Sequence, residues 1–276
     1  DGSDGDAVIV AGAPVTISRD MMYQNLTVPN GATLTPRGFR IFVKGVLTIE
    51  AGGSINDNGK NAVGINGGAA LNIVSAGFGA ASGAGATGRS NTGAGTASIT
   101  SSSCSLNDFN QFPQGGVGGS AGGANTGGGV GAAPSPTILQ KWTSLASMWT
   151  ARTYNGSATF NGGSGGGSGG CDITAGAATS GGGGGAAGIV WIASKSIVNN
   201  GSITCNGGAG ANGVSALGVA GGGGGGAGGL IGIITATNTG IGMVSSNAGT
   251  PGTSVGVGST APTAAKVGCV GVIILS

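Results

Sequence analysis

The first quarter of the sequence consists of short runs in which apolar and polar residues alternate, the pattern of β-strands that bury one face. The runs are rich in β-branched residues and are separated by turn residues such as Pro29-Asn30-Gly31 and Gly52-Gly53, so they are too short for helices. Between residues 7 and 55 this pattern predicts strands at 8–10, 15–17, 25–28, 32–35, 40–43 and 46–49. A β-solenoid and a β-meander both fit this spacing. Within 40–44, Arg40 and Lys44 alternate with Ile41 and Val43, which predicts one wet face and one buried face.

The composition of the chain changes near residue 60, where glycine-rich stretches begin to separate the apolar runs. Later strands are predicted at 70–74, 188–193, 196–198, 202–205, 230–235, 242–244 and 267–275. This division predicts an N-terminal short-strand β region over residues 1–60. Residues 61–276 are predicted to form a glycine-rich β-solenoid or polyglycine region with a helical insert near 135–150.

A weak internal repeat supports the solenoid interpretation. Residues 46–59, residues 196–208 and residues 234–249 each read as a strand, an Asn- or Gly-containing turn, a second strand and then a glycine-rich stretch. Repeats of this kind stack one unit on the next.

Glycine accounts for 67 of the 276 residues, and much of it occurs in blocks such as 181–185 and 221–226. Collagen is excluded, because glycine does not recur at every third position and only 8 prolines are present. Such blocks form either flexible linkers or ordered polyglycine II helices, whose backbones approach closely and bond to one another. Their alternation with strongly apolar strands favours order. The fold class is therefore predicted as all-β, with β-solenoid or β-helix-like short strands, ordered polyglycine-rich loops and one short inserted helix.

The insert is different in kind from the rest of the chain. Ile138, Trp142, Leu145 and Trp149 recur at helical spacing, with Ser135 as the N-cap and Pro136 at the first helical position. The apolar face of this helix either covers the body of its own domain, contacts a second subunit, or contacts a ligand. Trp142 and Trp149 are therefore the candidate binding residues for a partner or subunit.

Composition excludes several classes of function. Charged residues make up 7% of the chain and histidine is absent, so histidine-dependent catalysis and imidazole metal ligation are excluded. The ten Lys and Arg residues are spread along the chain, so no nucleic-acid footprint is visible. The apolar runs are too short to span a membrane, and no signal peptide is recognisable at the N-terminus. We expect no catalytic residue, no metal and no cofactor.

The remaining reactive groups suggest structural roles. The four cysteines Cys104, Cys171, Cys205 and Cys269 lack zinc-site spacing, and they fit three disulfide pairings or buried free thiols. Asp57 and Asp172 are predicted to be turn residues that bond their own backbone, although two carboxylates in a cleft would also serve a glycosidase. The opening residues 1–6 have the oxygen density of a calcium loop but lack the distal glutamate of an EF-hand.

Residues 2–6, 17–28 and 38–48 resemble glycine-rich virion proteins of tailed bacteriophages, and residues 181–207 share their pattern of polyglycine, apolar strand and Asn-Gly turn. The resemblance covers most of the chain. The helix at 134–149 is similar to inserts in these proteins, and the polyglycine layers resemble those of T-even-type phage adhesins. The resemblance implies a non-enzymatic tail-fibre, appendage or surface-decoration protein on the virion, involved in host attachment. The implied partners are copies of itself, a trimer among the expected forms, other virion proteins, and a host surface glycan or protein.

Two other classes of function stay open. A self-assembling extracellular filament or matrix protein would share the composition, and a carbohydrate- or ice-binding module would need a regular ladder of Thr or aromatic residues. The threonines of the first strands are too irregularly spaced in sequence to indicate such a ladder. If loops carry recognition, the longest lie within 77–131 and 155–179.

Overall fold

A computed structural model describes the protein at residues 1–71, 79–80, 83–97, 115–121, 128–129, 153–154, 157–158, 160–161, 163–174, 176–265 and 267–274. These residues contain β-strands, turns and extended glycine-rich segments and no helix, so the described chain is all-β, as predicted. The predicted helix near 135–150, with Trp142 and Trp149, lies outside the described residues.

The described residues contain twenty strands, most of them short. In chain order they are β1 (Asp6–Val8), β2 (Val15–Thr16), β3 (Met21–Tyr23), β4 (Asn25–Val28), β5 (Thr33–Thr35), β6 (Arg40–Ile49), β7 (Ser54–Asn56), β8 (Gly79–Ala80), β9 (Thr153–Tyr154), β10 (Ser157–Ala158), β11 (Phe160–Asn161), β12 (Cys171–Asp172), β13 (Ala178–Thr179), β14 (Ile189–Asn199), β15 (Ser202–Thr204), β16 (Val214–Ser215), β17 (Val219–Ala220), β18 (Leu230–Thr239), β19 (Met243–Ser245) and β20 (Cys269–Ile274).

Two parallel sheets organise the longer strands. The first sheet has the order β1-β4-β6-β14-β18-β20, with β3 also paired to β6, and the second has the order β2-β5-β7-β15-β19. From β4 onward the main strands alternate between the sheets, since β6, β14 and β18 of the first sheet are followed along the chain by β7, β15 and β19 of the second. Each passage through both sheets therefore adds one strand to each, in the same direction.

The hydrophobic core lies between these sheets and is built from rows of aliphatic side chains. In the first sheet Ile41, Ile192 and Ile233 occupy paired positions, and in the second sheet Ile55 and Ile203 do so. All five are buried. Because parallel strands pair in register, residues of the same type stack directly on one another in the core.

The stacking confirms the first two copies of the internal repeat seen in the sequence. Leu47 pairs with Ile197 and Ile55 pairs with Ile203, as the alignment of the first two copies requires. β6 and β14 are each one continuous strand where the sequence predicted two. Lys44 and Gly45 together face Lys195 in a bulge between β6 and β14, so the glycine bends the strand without ending it.

The face of β6 that was predicted to be solvent-exposed is only partly exposed. Ile41 and Val43 are buried as expected, but Arg40 is buried as well. Its backbone N–H and its Nε donate to the two carboxylate oxygens of Asp20, each at 2.9 Å. The charge of Arg40 is therefore neutralised by an ion pair rather than by water.

Beyond the sheets, the glycine-rich segments bond to one another with a period of three residues. In 181–188 each backbone N–H donates to one of three neighbouring segments in strict rotation. Gly181, Gly184 and Ala187 donate to 221–227, Gly182, Gly185 and Gly188 donate to 57–64, and Gly183 and Ala186 donate to 83–86. Three residues per turn is the period of the extended PPII-type helix, whose backbone groups all point outward.

Other segments repeat this arrangement. The N–H groups of 221–229 donate in rotation to 164–170 and to 205–211, and that of Gly222 donates to the Ser254 hydroxyl at 2.9 Å. The segments 57–64, 83–89, 115–121, 163–170, 181–188, 205–213, 221–229 and 246–253 together form what we call the glycine bundle. Its segments continue the sheets, since 181–188 leads into β14 and 221–229 leads into β18.

Glycine is required here for close approach rather than for an unusual backbone angle. None of the glycines in 163–170, 181–188 or 221–229 has a positive φ. A Cβ added to nearly any of them would lie less than 3.0 Å from backbone of a neighbouring segment. The glycine blocks are thus packed and hydrogen-bonded, as one of the two sequence interpretations proposed, and they do not behave as linkers.

We expect Gly184→Ala to destabilise the protein by at least about 2 kcal/mol, because over-packing at a fixed position costs about 1 to 3 kcal/mol or more. The new Cβ would meet backbone atoms of Gly208 and would lie 2.8 Å from the N of Gly226. The matched control is Gly93→Ala, whose Cβ first meets the flexible Arg89 guanidinium at 3.2 Å. Urea unfolding should place the control within about 0.5 kcal/mol of the wild type. Equal effects of the two substitutions would contradict the close packing.

Candidate functional site

Several loops lie together at the end of the glycine bundle remote from the two sheets. In the antiparallel neighbours 163–170 and 181–188, Gly163 donates to Ala187 beside β14, whereas Gly169 donates to Gly181. The connection 171–180 is therefore far from the sheets. The same reasoning places 89–95, 213–220 and 255–260 at this end, and we call the four loops the distal loop surface.

Backbone pairing fixes these loops relative to one another. β12 pairs with β17 and β13 pairs with β16, both antiparallel. Isolated bridges join Gly93 to Cys171 and Ala220 to Val255. The loops are thus held in one row, in the order 89–95, 171–180, 213–220 and 255–260.

A small apolar cluster supports the row from beneath. Cys171, Ala178 and Ala220 are buried together, and Val255 packs against them. The Cys171 thiol donates to the carbonyl oxygen of Ala178 at 3.4 Å. Burial raises the pKa of this thiol, so the group is protonated at neutral pH and serves packing rather than reaction.

The outward side of the row exposes aliphatic side chains. Leu217 is 77% exposed and Val257 is 97% exposed, and Val214 and Ile173 are exposed beside them. Four exposed aliphatic side chains thus lie on one loop row in the described part of the chain. Patches of this kind are typical of interaction surfaces.

The distal loop surface carries little charge. Its charged residues are Arg89 and Asp172. Asp172 accepts hydrogen bonds from the hydroxyl and, at 2.9 Å, the backbone N–H of Thr174, and these bonds lower its pKa. This confirms the prediction that Asp172 is a turn residue that bonds its local backbone.

The structure places part of the sequence-predicted recognition loops on this surface. The described residues 89–95, 171–174 and 176–179 come from the two long loop regions named from sequence, while Trp142 and Trp149 lie outside the described residues. Sequence reasoning missed 213–220 and 255–260. The available signal was that Val214, Leu217 and Val257 are isolated apolar residues between glycine blocks, with no strand pattern to explain them.

A second notable group lies where the sheets meet the glycine bundle. Asp57 is buried, and its Oδ2 accepts the backbone N–H of Ile189 at 3.1 Å. The turn role predicted for Asp57 is thus wrong, because this bond reaches a residue distant in sequence. Burial raises the pKa of Asp57 to about 6, and the Ile189 bond together with Arg37 and Lys60 opposes that rise.

Cys205 lies beside Asp57 in the same junction. Its thiol is buried, and its pKa is raised far above the ordinary value by burial and by the Asp57 carboxylate. Cys171 and Cys205 are both free thiols, so the structure gives neither of them a disulfide. The side chains of Cys104 and Cys269 lie outside what the structure describes.

Among the described residues, no three His, Cys, Asp or Glu side chains are grouped as metal ligands. At the acidic N-terminus, the Asp4 carboxylate accepts hydrogen bonds from Arg19 and, at 2.6 Å, from the Met22 backbone N–H. One of the carboxylates that a calcium loop at residues 1–6 would use is therefore already bonded within the protein. The described residues also lack a helix with the length and apolarity needed to cross a bilayer.

Comparison with protein-family models, curated proteins and solved structures gave no match to this chain.

We expect Asp57→Asn to stabilise the protein at pH 7 and to leave it almost unchanged at pH 4. The folded-state pKa of Asp57 is raised from 3.8 to about 6. Its contribution to stability is therefore fully present below pH 4 and is lost as the pH rises through 6. The difference amounts to about 3 kcal/mol in unfolding free energy. Asparagine keeps an oxygen for the Ile189 N–H.

Urea unfolding of both proteins at pH 4, 5.5 and 7 measures this difference. Asp172→Asn is the control, because the pKa of Asp172 is lowered and its replacement should not stabilise the protein at pH 7. Parallel stability curves for wild type and Asp57→Asn across this range would show that Asp57 is ionised without penalty.

Proposed function

We propose that this chain is a non-enzymatic structural protein of a bacteriophage virion, a tail-fibre, appendage or surface-decoration component that contacts the host through its distal loop surface. The alternating parallel sheets support a β-solenoid interpretation, in which each passage through both sheets is one coil. The three-residue hydrogen-bond period supports a polyglycine II interpretation of the bundle. Both features agree with the resemblance to glycine-rich phage proteins.

The observation that carries the proposal is the separation of scaffold from loops. Backbone packing fills the glycine blocks of the bundle, such as 181–185 and 221–226, and leaves no side chains there for recognition. At its far end, four loops from separate parts of the chain present Leu217, Val257 and their neighbours to solvent. Loops on a rigid scaffold are the usual location of binding residues, and apolar side chains at the centre of a contact contribute most to affinity.

The carbohydrate- or ice-binding alternative has less support. The outward positions of the second sheet do form a short row, in which Thr33 pairs with Ser54 and Ser54 with Ser202. The hydroxyls of Thr33 and Ser54 bond each other at 3.0 Å, and Met243 interrupts the row after Ser202. The row is short and Met243 ends it, so the apolar loops are the better candidate.

A cell-binding assay tests the proposed attachment role. Fluorescently labelled full chain is incubated with a panel of intact bacterial strains, and flow cytometry measures its retention on the cells. We expect saturable binding to a subset of strains, and at least about tenfold weaker binding for Leu217→Asp combined with Val257→Asp, since charge on both side chains opposes their burial.

The matched control is Ile241→Asp. Ile241 is exposed and aliphatic but lies between β18 and β19, at the end of β18 remote from the glycine bundle. Wild-type affinity in the double loop variant would move the contact elsewhere. Absence of binding to every strain, together with absence of the protein from purified phage particles probed with a specific antibody, would favour the filament alternative.

A further inference from the structure

The last strand of the first sheet has an unprotected edge. β20 pairs with β18 on one side, and no strand of the described chain pairs with its other side. Natural edge strands are usually blocked by charged residues, prolines or bulges. The six residues of β20 include none of these.

The core is also open at this strand. Val270, Val272 and Ile274 pair with Ile231, Ile233 and Thr235, which are buried in the core rows. The second sheet ends at β19, so no strand lies across the core from β20 in the described part of the chain. Val270 and Val272 are each 42% exposed and Ile274 is 59% exposed. Side chains in core positions are therefore left half in water.

The opposite edge of the same sheet is protected. β1 has only three residues, and the carboxylate of its Asp6 accepts a hydrogen bond from Asn25 at 2.8 Å. Beside it, Asp4 is paired with Arg19. The sequence shows the same difference between the two ends of the sheet. Residues 196–265, which lead up to β20, contain no Asp, Glu, Lys or Arg. The two ends of the sheet thus differ in chemistry.

We propose that β20 pairs with β20 of a second copy of this chain, antiparallel about a two-fold axis, with Val272 opposite Val272 of the second copy. In this register Val270 faces Ile274 of the other copy, so that the core-facing side chains of both strands meet in pairs. Both free edges receive hydrogen-bond partners at once, and the contact closes without further growth.

Charge decides between this arrangement and head-to-tail stacking. If β20 were paired with β1 of the next copy, its apolar row would meet the edge that carries Asp6 and the Asp4–Arg19 pair. Burying those groups costs free energy that no partner on β20 offsets. The two-fold contact joins two uncharged edges. Its antiparallel strands direct the two distal loop surfaces to opposite ends of the dimer, away from the contact. The proposed dimer therefore does not depend on what the distal loop surface binds.

Light scattering on the full chain tests the contact, with Val272→Lys, Val272→Glu and a control, Val257→Lys, which places the same charge on the distal loop surface. We expect the wild type and the control to be dimers. Each single Val272 variant should be monomeric, with dimerisation weakened at least about a hundredfold, because two like charges meet across the axis. Circular dichroism verifies that every variant remains folded.

Mixing the two Val272 variants in equal amounts should restore the dimer, because lysine then faces glutamate. This rescue requires residue 272 to meet itself, which only the two-fold register provides. A monomeric wild type at its highest soluble concentration would overturn the proposal, as would open-ended polymers, which indicate head-to-tail stacking. Folded Val272 variants that stay dimeric alone, or stay monomeric when mixed, would overturn it as well.

Discussion

The close approach of backbones in the glycine bundle is the constraint on which the rest of the structure depends. Neighbouring segments lie so near that a single added Cβ would overlap a carbonyl group, as at Gly184 and Gly223. Ordering glycine costs more conformational entropy than ordering any other residue. That cost is offset because each segment donates in rotation to several neighbours, so hydrogen bonds and dispersion contacts extend in all directions around the segment.

The two sheets and the glycine bundle solve the same packing problem in different ways. Between the sheets, aliphatic rows such as Ile41, Ile192 and Ile233 fill the space, and packed sheets lie about 10 Å apart. In the glycine blocks 181–185 and 221–226 there are no side chains, so neighbouring segments pack backbone against backbone. Between the glycine block 181–185 and strand β14, the chain passes through Ala186 and Ala187, whose small side chains are both fully buried. Asp57 is buried at this junction, where its carboxylate accepts the backbone N–H of Ile189.

Much of the sheet architecture could be predicted from sequence because alternation and repetition are local signals. The alignment of 46–59 with 196–208 anticipated the pairing of Leu47 with Ile197. The exact path of the glycine segments was not predictable, since identical residues carry no information about which segment lies beside which. The distal loops were only partly predictable for the same reason: Leu217 and Val257 come together through pairings of β12 with β17 and of Ala220 with Val255, and glycine packing sets those pairings.

The glycine bundle and the distal loops differ in where a substitution can be accommodated. At the closely packed glycines of the bundle, such as Gly184 and Gly223, an added side chain would displace backbone of a neighbouring segment. At the distal end, Val214, Leu217 and Val257 project into solvent, and replacing them alters the surface without disturbing the hydrogen bonds beneath. The four loops are anchored through backbone pairing rather than through their exposed side chains. Glycine positions that tolerate no side chain therefore support loops whose exposed side chains can vary, which suits the proposed attachment role.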